Sequence, residues 1–280
     1  MKRLALKLQY LGSRFFGWQR QPHHRSVQGV LEAAIASRAG HEVVLHGAGR
    51  TDTGVHAAAQ VAHFETDSPI PTSRWPFVLN QCLPADVSVW QAAEVPPTWH
   101  ARFSAIWRRY RYAILNQEQR DVFWDPFVWH CRFPLQVGAM AEALHSLLGE
   151  HNLEAFRLSG SPRKHSWVQV QAVDCRQQGS LITIEVQASG FLYRMMRLLV
   201  GTLAFVGRGE LSVAEFIQRW RQGGLLGTRF RHSVPPQGLC LVGIGYAEDP
   251  FRDAETGGAI RGSPSSGADL PPLLSLWSLP

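Results

Sequence analysis

Leu4-Ala5-Leu6-Lys7-Leu8-Gln9-Tyr10 places a leucine at alternate positions, the two-residue period of a half-buried strand. Ser26 then precedes Val27, Val30, Leu31, Ala34 and Ile35, an N-cap followed by an apolar stripe at helical spacing. Residues 43–46 and 60–64 read as strands, 76–82 as a short helix and Val87–Val95 as a strand. The same order returns further on. Residues 106–115 read as a strand, and Val137, Met140, Ala141, Leu144, Leu147 and Leu148 share one helix face that stops at Gly149. Strands at 168–175 and Leu181–Ala188 lead into a helix at 191–206, closed by Gly207. Ser212-Val213-Ala214-Glu215 has the capping-box pattern of an additional helix, and Leu239–Tyr246 is the last strand.

Strand-helix-strand-strand-helix-strand, met twice without a visible sequence repeat, is the split βαβ or ferredoxin-like order. The expected fold is α+β: two ferredoxin-like halves joined into one extended antiparallel sheet with helices on one face. Joining edge to edge removes two exposed sheet edges. The expected organisation is an N-terminal half at 1–105, a C-terminal half at 106–248 and a disordered tail at 249–280. That tail holds five Pro, four Gly and five Ser and carries −2, which leaves the body at +8. Its Leu273, Leu274, Leu276 and Trp277 could instead dock as a short peptide.

The 280 residues carry 28 Lys+Arg against 22 Asp+Glu, a net charge of +6, with 45% hydrophobic and 18% charged residues. This is the balance of a folded globule. No apolar stretch approaches the roughly 20 residues of a membrane span, and the amino terminus lacks a signal peptide's apolar block. Four cysteines lie far apart with no CxxC, which points to a reducing, cytoplasmic setting and to neither zinc nor a redox motif. Arginine outnumbers lysine 25 to 3, a bias that suits nucleic acid and that a GC-rich genome would also produce. Within 99–112, Arg102, Arg108, Arg109 and Arg111 interleave with Trp99, Phe103, Trp107, Tyr110 and Tyr112 and no acid intervenes. Such a run can pair with phosphates while its rings stack on bases, or it can be a half-exposed strand with solvated arginines.

The sharpest local feature is Gly49-Arg50-Thr51-Asp52-Thr53-Gly54-Val55-His56, between two expected strands. Flanking glycines let the backbone turn tightly and approach a ligand, with one carboxylate beside one guanidinium. A polar hairpin turn would have the same composition. Gly47-Ala48-Gly49 starts like a dinucleotide fingerprint, but Asp52 stands where the third glycine belongs. A metal site built from His46, Asp52, His56 and His63 has no paired-ligand spacing behind it.

Several strings together resemble the tRNA pseudouridine synthase A family. They are Gly49–His56, Tyr10–Ser13 with Gly17–Gln21, Ser26–Gln28 with Leu31-Glu32, His100–Ala105, Arg108–Tyr112, Phe191–Arg197 with Leu199–Gly201, and the stretch from Pro235 to Tyr246. The likeness runs in order over 3–248. It departs at Thr53 (usually Ala), Leu11 (Asp), Arg194 (His) and Leu198 (Asn), and 160–166 fits poorly.

The resemblance implies an isomerase that turns uridine into pseudouridine at positions 38, 39 and 40 of the tRNA anticodon stem-loop. It implies a homodimer and no cofactor or metal. It makes Asp52 the catalytic carboxylate, Arg197 its cationic partner and Tyr110 the ring against the target base. Arg50 becomes the side chain that fills the space of the flipped-out nucleotide. Trp99, His100, Ala101, Arg102, Phe103, Arg163 and Lys164 become further RNA contacts. One carboxylate is chemically sufficient: uracil leaves as a delocalised anion and no water need be activated, unlike glycoside hydrolysis. The alternative is a non-catalytic tRNA-binding or chaperone protein, which has no use for an acid beside RNA phosphates.

Overall fold

The computed structural model describes residues 1–158, 165–223, 225, 227–252 and 276. The strands are β1 (Lys2–Tyr10), β2 (His46–Gly47), β3 (His56–Thr66), β4 (Val87–Val95), β5 (Ala105–Asn116), β6 (Trp129–Cys131), β7 (Gly149–Asn152), β8 (Trp167–Gln178), β9 (Leu181–Ala188) and β10 (Leu239–Tyr246). The helices are α1 (Val27–Ala39), α2 (Trp75–Asn80), α3 (Val137–His145), α4 (Met195–Gly207) and α5 (Val213–Arg221). The chain is therefore α+β, with a large mixed sheet of ten strands that does not close. Among the described residues no helix is long and apolar enough to cross a membrane.

Two compact units emerge: 1–106 with 241–280, and 107–240. Most of β10, which the sequence reading assigned to the C-terminal half, groups with the first unit. In that unit β1 runs between β3 and β4, antiparallel to both, and β2 pairs with β3. This is the split βαβ order. Leu4, Leu6 and Leu8 of β1 share one buried face, and Leu31 and Ile35 of α1 are also fully buried. Ala5 points to the other face and packs with Ala48, Val61, Val95, Ala101 and Phe251. Phe251 lies in the stretch read as a tail. Of the rest of that stretch, 253–275 and 277–280 fall outside the described residues, and Leu276 is buried.

In the second unit β9 runs between β5 and β8, antiparallel to both, and β7 extends the sheet from β8. Strand β6 runs parallel to β5, which corrects the all-antiparallel expectation. Helix α3 packs on β8 and against α4 and α5. Helix α4 is buried almost all round, and a Cβ on its Gly201 would sit 1.9 Å from the His232 carbonyl oxygen. The 232–234 segment therefore lies directly on the helix.

Strand β3 extends beyond the expected 60–64 at both ends, β8 runs past 175 to 178, and α2 stops short of 82; three further differences have a local reason. Residues 43–45 form no ladder because α1 side chains take the backbone of Leu45: its N–H donates to Glu32 Oε1 (3.0 Å) and its C=O accepts from Gln28 Nε2 (3.1 Å). Helix α4 starts at Met195 and not at 191, because Arg194 adopts φ +58°. Helix α3 ends at His145; Ser146, Leu147 and Leu148 close tight turns onto the carbonyls three residues back before Gly149 at φ +106°.

Candidate active site

The loop between β2 and β3 is fixed from three sides. First, the 12–18 segment lies against it. A Cβ on Gly12 would fall 2.0 Å from the Val55 carbonyl oxygen, and one on Gly17 (φ +81°) would fall 2.7 Å from that of Thr51. Gly12 N–H donates to His56 Nδ1 (3.0 Å), Trp18 N–H to the Thr51 carbonyl (3.1 Å) and Gly54 N–H to that of Phe15 (3.3 Å). Second, the loop turns on itself: Val55 N–H donates to the Asp52 carbonyl (3.1 Å), with Gly54 at φ +80°.

Third, a buried side chain clamps it from β3. Gln60 is fully buried; its Nε2 donates to the Gly49 carbonyl (2.7 Å) and to Tyr10 Oη (3.3 Å), and its Oε1 accepts from Gly49 N–H (3.4 Å). Tyr10 Oη in turn lies 2.8 Å from Thr51 Oγ1. The residue before Asp52 is thus hydrogen-bonded through both backbone and side chain. Asp52 is half-buried and Arg50 is exposed. Sequence reasoning missed the Gln60–Tyr10–Thr51 clamp. Its signal is a glutamine inside the otherwise small apolar run 57–62.

The 99–103 segment divides into anchors and an outer surface. Ala101 is fully buried: its N–H donates to His63 Nδ1 (3.2 Å) and its carbonyl accepts from Tyr246 Oη (2.8 Å). Trp99 packs on Tyr246 at 5.0 Å between centroids, and Arg3 donates to its carbonyl (2.7 Å). His100 Nδ1 accepts from the N–H groups of Arg102 (3.0 Å) and Phe103 (3.4 Å). Arg102 and Phe103 face outward, Phe103 76% exposed, with the guanidinium 5.6 Å from the ring.

Burial lowers the pKa of His63 to about 3, assisted by His100, His46 and Arg3, and lowers that of His100 in the same way. Both rings stay neutral, as their acceptor roles require. The Nδ1 atoms of His56 and His63 are occupied by backbone N–H groups, and no group of three or more potential ligands among the described residues is arranged to hold a metal ion.

In the second unit Tyr110 is buried on β5, edge-on to Phe191 at 4.7 Å. The neighbouring arginines are not solvated. Arg108 and Arg111 are buried; Arg108 donates to the Ser189 carbonyl (3.1 Å), Arg109 to Gln187 Oε1 (2.7 Å) and Arg111 to Glu185 (2.6 Å), all across the strand pair. Of the basic-aromatic run, Arg102 is the arginine presented outward.

Arg197 stands in the first turn of α4. Its Nε donates to the Val234 carbonyl (2.7 Å), and its own carbonyl accepts from Val234 N–H (3.3 Å). Tyr112 Oη donates to the Pro235 carbonyl (2.8 Å), and burial holds that phenol well above its usual pKa against the opposing charge of Arg197. Leu198 is buried, whereas Leu11 is exposed. Arg163 and Lys164 lie outside the described residues.

A family model described as tRNA pseudouridine synthase matches residues 7–104 and 143–247. A relative from Thermosynechococcus vestitus, named tRNA pseudouridine synthase A, is 56% identical over 251 residues, covering 89% of this chain and 88% of its own. Relatives of the same name from Synechocystis sp. (50% over 257 residues; 90% and 92%) and Gloeobacter violaceus (49% over 251; 89% and 82%) are similar over nearly the same span.

Proposed function

The chain belongs to the tRNA pseudouridine synthase family, isomerases that convert uridine in tRNA to pseudouridine, and from that premise we propose that it acts at positions 38, 39 and 40 of the anticodon stem-loop with Asp52 as catalytic carboxylate. The observation that carries this reading is the loop itself: a half-buried carboxylate whose flanking backbone is hydrogen-bonded to β3 and the 12–18 segment, with the neighbouring Thr51 hydroxyl bonded to Tyr10 of β1. Nothing of the kind is required of a protein that only binds RNA.

The reaction is an exchange of bonds at one sugar carbon. The N1–C1′ bond breaks, uracil turns within the pocket, C5 bonds to C1′, and the C5 proton leaves while N1 gains one. Asp52 serves as nucleophile or base through this exchange and helps remove the C5 proton. Arg197 is assigned to pair with it; an opposite charge keeps a carboxylate ionised and fixes its rotamer. Tyr110 is assigned to stack on the target uracil. A base within a stem must be everted at a cost of a few kcal/mol, and exposed Arg50 is assigned to fill the space left behind. Arg102, Phe103 and His100 then contact the flanking RNA, with Trp99 and Ala101 holding their segment. Arg163 and Lys164 are assigned to the same RNA by resemblance. Family likeness further supports a cytoplasmic location and a homodimer, and light scattering of the purified protein tests the dimer.

The decisive experiment incubates the protein with a uridine-containing anticodon-arm transcript and maps pseudouridine. The wild type converts the three positions. Asp52→Asn binds tRNA with unchanged affinity and gives no conversion; substantial turnover by that variant overturns the assignment.

A further inference from the structure

Outside the residues assigned above, guanidinium groups and aromatic rings alternate across one face of the second unit. Arg132 lies over the Phe133 ring at 5.0 Å, and Arg208 over the same ring at 5.8 Å. Arg208 also covers Phe205 at 4.4 Å, and Phe205 meets Phe230 edge-on at 5.3 Å. Arg219 and Arg229 lie over Phe230 at 5.3 and 5.0 Å. The loop after β6, the end of α4, helix α5 and residues 229–230 thus contribute four arginines sharing three rings.

Among the described residues, one carboxylate pairs with this set. Glu210 Oε1 is 3.0 Å from Arg208 Nε, and Oε2 is 3.6 Å from Arg229. The group keeps a clear positive excess, and parts of it are open to solvent: Phe133 is 48% exposed and the Arg229 side chain 69%. Like charges held this close repel one another, and a polyanion relieves that repulsion. Each ring attracts the guanidinium above it through its quadrupole. Stacking also pre-orders the guanidinium while its in-plane N–H groups remain able to fork onto phosphate oxygens, which lysine cannot imitate. The adjoining pocket, lined by 129–133, Ala204 and Arg208, holds about 270 Å³.

We propose that this arginine–aromatic face is a second RNA contact, taking the sugar-phosphate backbone of the tRNA beyond the anticodon arm. It rests on the tRNA substrate of the family and deepens that reading. Arg197 and Arg208 are eleven residues apart along α4, roughly 16 Å at 1.5 Å per residue. RNA helices are A-form, with a shorter rise per pair than the roughly 3.4 Å of B-DNA, so that span is more than about five pairs from the target. RNA lying here is not the everted base or its immediate neighbours.

The test compares a full-length unmodified tRNA transcript with an isolated anticodon-arm transcript, using Arg132→Gln/Arg219→Gln/Arg229→Gln in the full chain. The variant binds full-length tRNA about tenfold or more weakly, with a log–log salt slope shallower by about 2–3. Its affinity for the anticodon arm and its rate at saturating RNA stay at wild-type values. Glu210→Gln, which frees two arginines without removing packing, binds full-length tRNA more tightly and keeps the test open if the triple variant fails to fold. Equal weakening on both RNAs, no weakening on the full-length tRNA, or no gain from Glu210→Gln overturns the proposal. Failure of the underlying reading shows separately, as a wild type that isomerises neither RNA.

Discussion

The loop of Asp52 and the arginine–aromatic face of the second unit hold their charges in opposite ways. Around Asp52 the backbone is pinned by glycines that admit no side chain and by a buried glutamine, with donors and acceptors matched one to one. Across Arg132, Arg208, Arg219 and Arg229 the partners are rings, and a single glutamate serves two guanidiniums. A carboxylate that must meet one atom of an everted base needs a fixed position, and hydrogen bonds supply direction. A phosphate backbone needs charge at the right density, and cation–π contacts hold charge without demanding one orientation.

The comparison breaks most severely at Gly12. Any side chain there meets a backbone carbonyl at 2.0 Å, which no rotamer change relieves. Gly12→Ala should cost about 3 kcal/mol or more of stability, and the soluble fraction should isomerise poorly because the 54–56 backbone has moved. Urea denaturation with a parallel activity assay checks this; a variant of wild-type stability would mean the contact yields cheaply.

A smaller effect sharpens it at Gln60. Gln60→Leu keeps volume and leaves the Gly49 carbonyl and N–H without their partners, a loss of about 1–3 kcal/mol. The unpinned loop also holds Asp52 less well: a rise of about 1.4 kcal/mol in the barrier is tenfold in rate, so kcat should fall about tenfold with KM for tRNA unchanged. Tyr10→Phe, which removes only the hydroxyl facing Thr51, should move kcat in the same direction by less. Loss of KM with kcat preserved would make the clamp part of the RNA grip and not of carboxylate placement.

Legibility in the sequence followed the same division. Strands β4, β9 and β10 were readable to their ends because they are runs of five residues or more, with apolar positions that a strand period fits. Strands β6 and β7 were invisible: three and four residues such as Trp129-His130-Cys131 and Gly149-Glu150-His151-Asn152 are too short to show a period. Asp52, the proposed catalytic carboxylate, stands out in the sequence through its glycine-bounded motif, and Gln60 does not. A clamp is defined by what faces a residue across the sheet, and spacing along the chain does not encode that. The arginines of β5 had the composition of an RNA contact, but Glu185, Gln187 and the Ser189 carbonyl take them across the strand pair.

The anchor of the 99–103 segment gives the mildest test, through pH. His63 accepts from Ala101 N–H only while neutral, and in the fold it stays neutral down to about pH 3. An unfolded histidine takes up its proton near 6.5. Between those values the unfolded state binds more protons, so stability is full above pH 6.5 and falls as pH drops toward 3, by no more than about 1.4 kcal/mol per pH unit for one proton. His100, lowered in the same direction, adds to the fall. The carboxylates held low, Asp86 and Asp125 by arginines and exposed Glu215 by its hydrogen bonds to Ser212, start to lose their contribution only near the ordinary values of 3.8 and 4.5, so the histidines dominate from pH 6.5 down to 4.5. His63→Gln can keep an acceptor for Ala101 and cannot titrate. Urea midpoints at pH 6.5, 5.5 and 4.5 should fall less steeply for this variant than for the wild type, with His100 supplying the slope that remains. Parallel lines for the two proteins would mean that the neutral ring is not what ties this segment to β3.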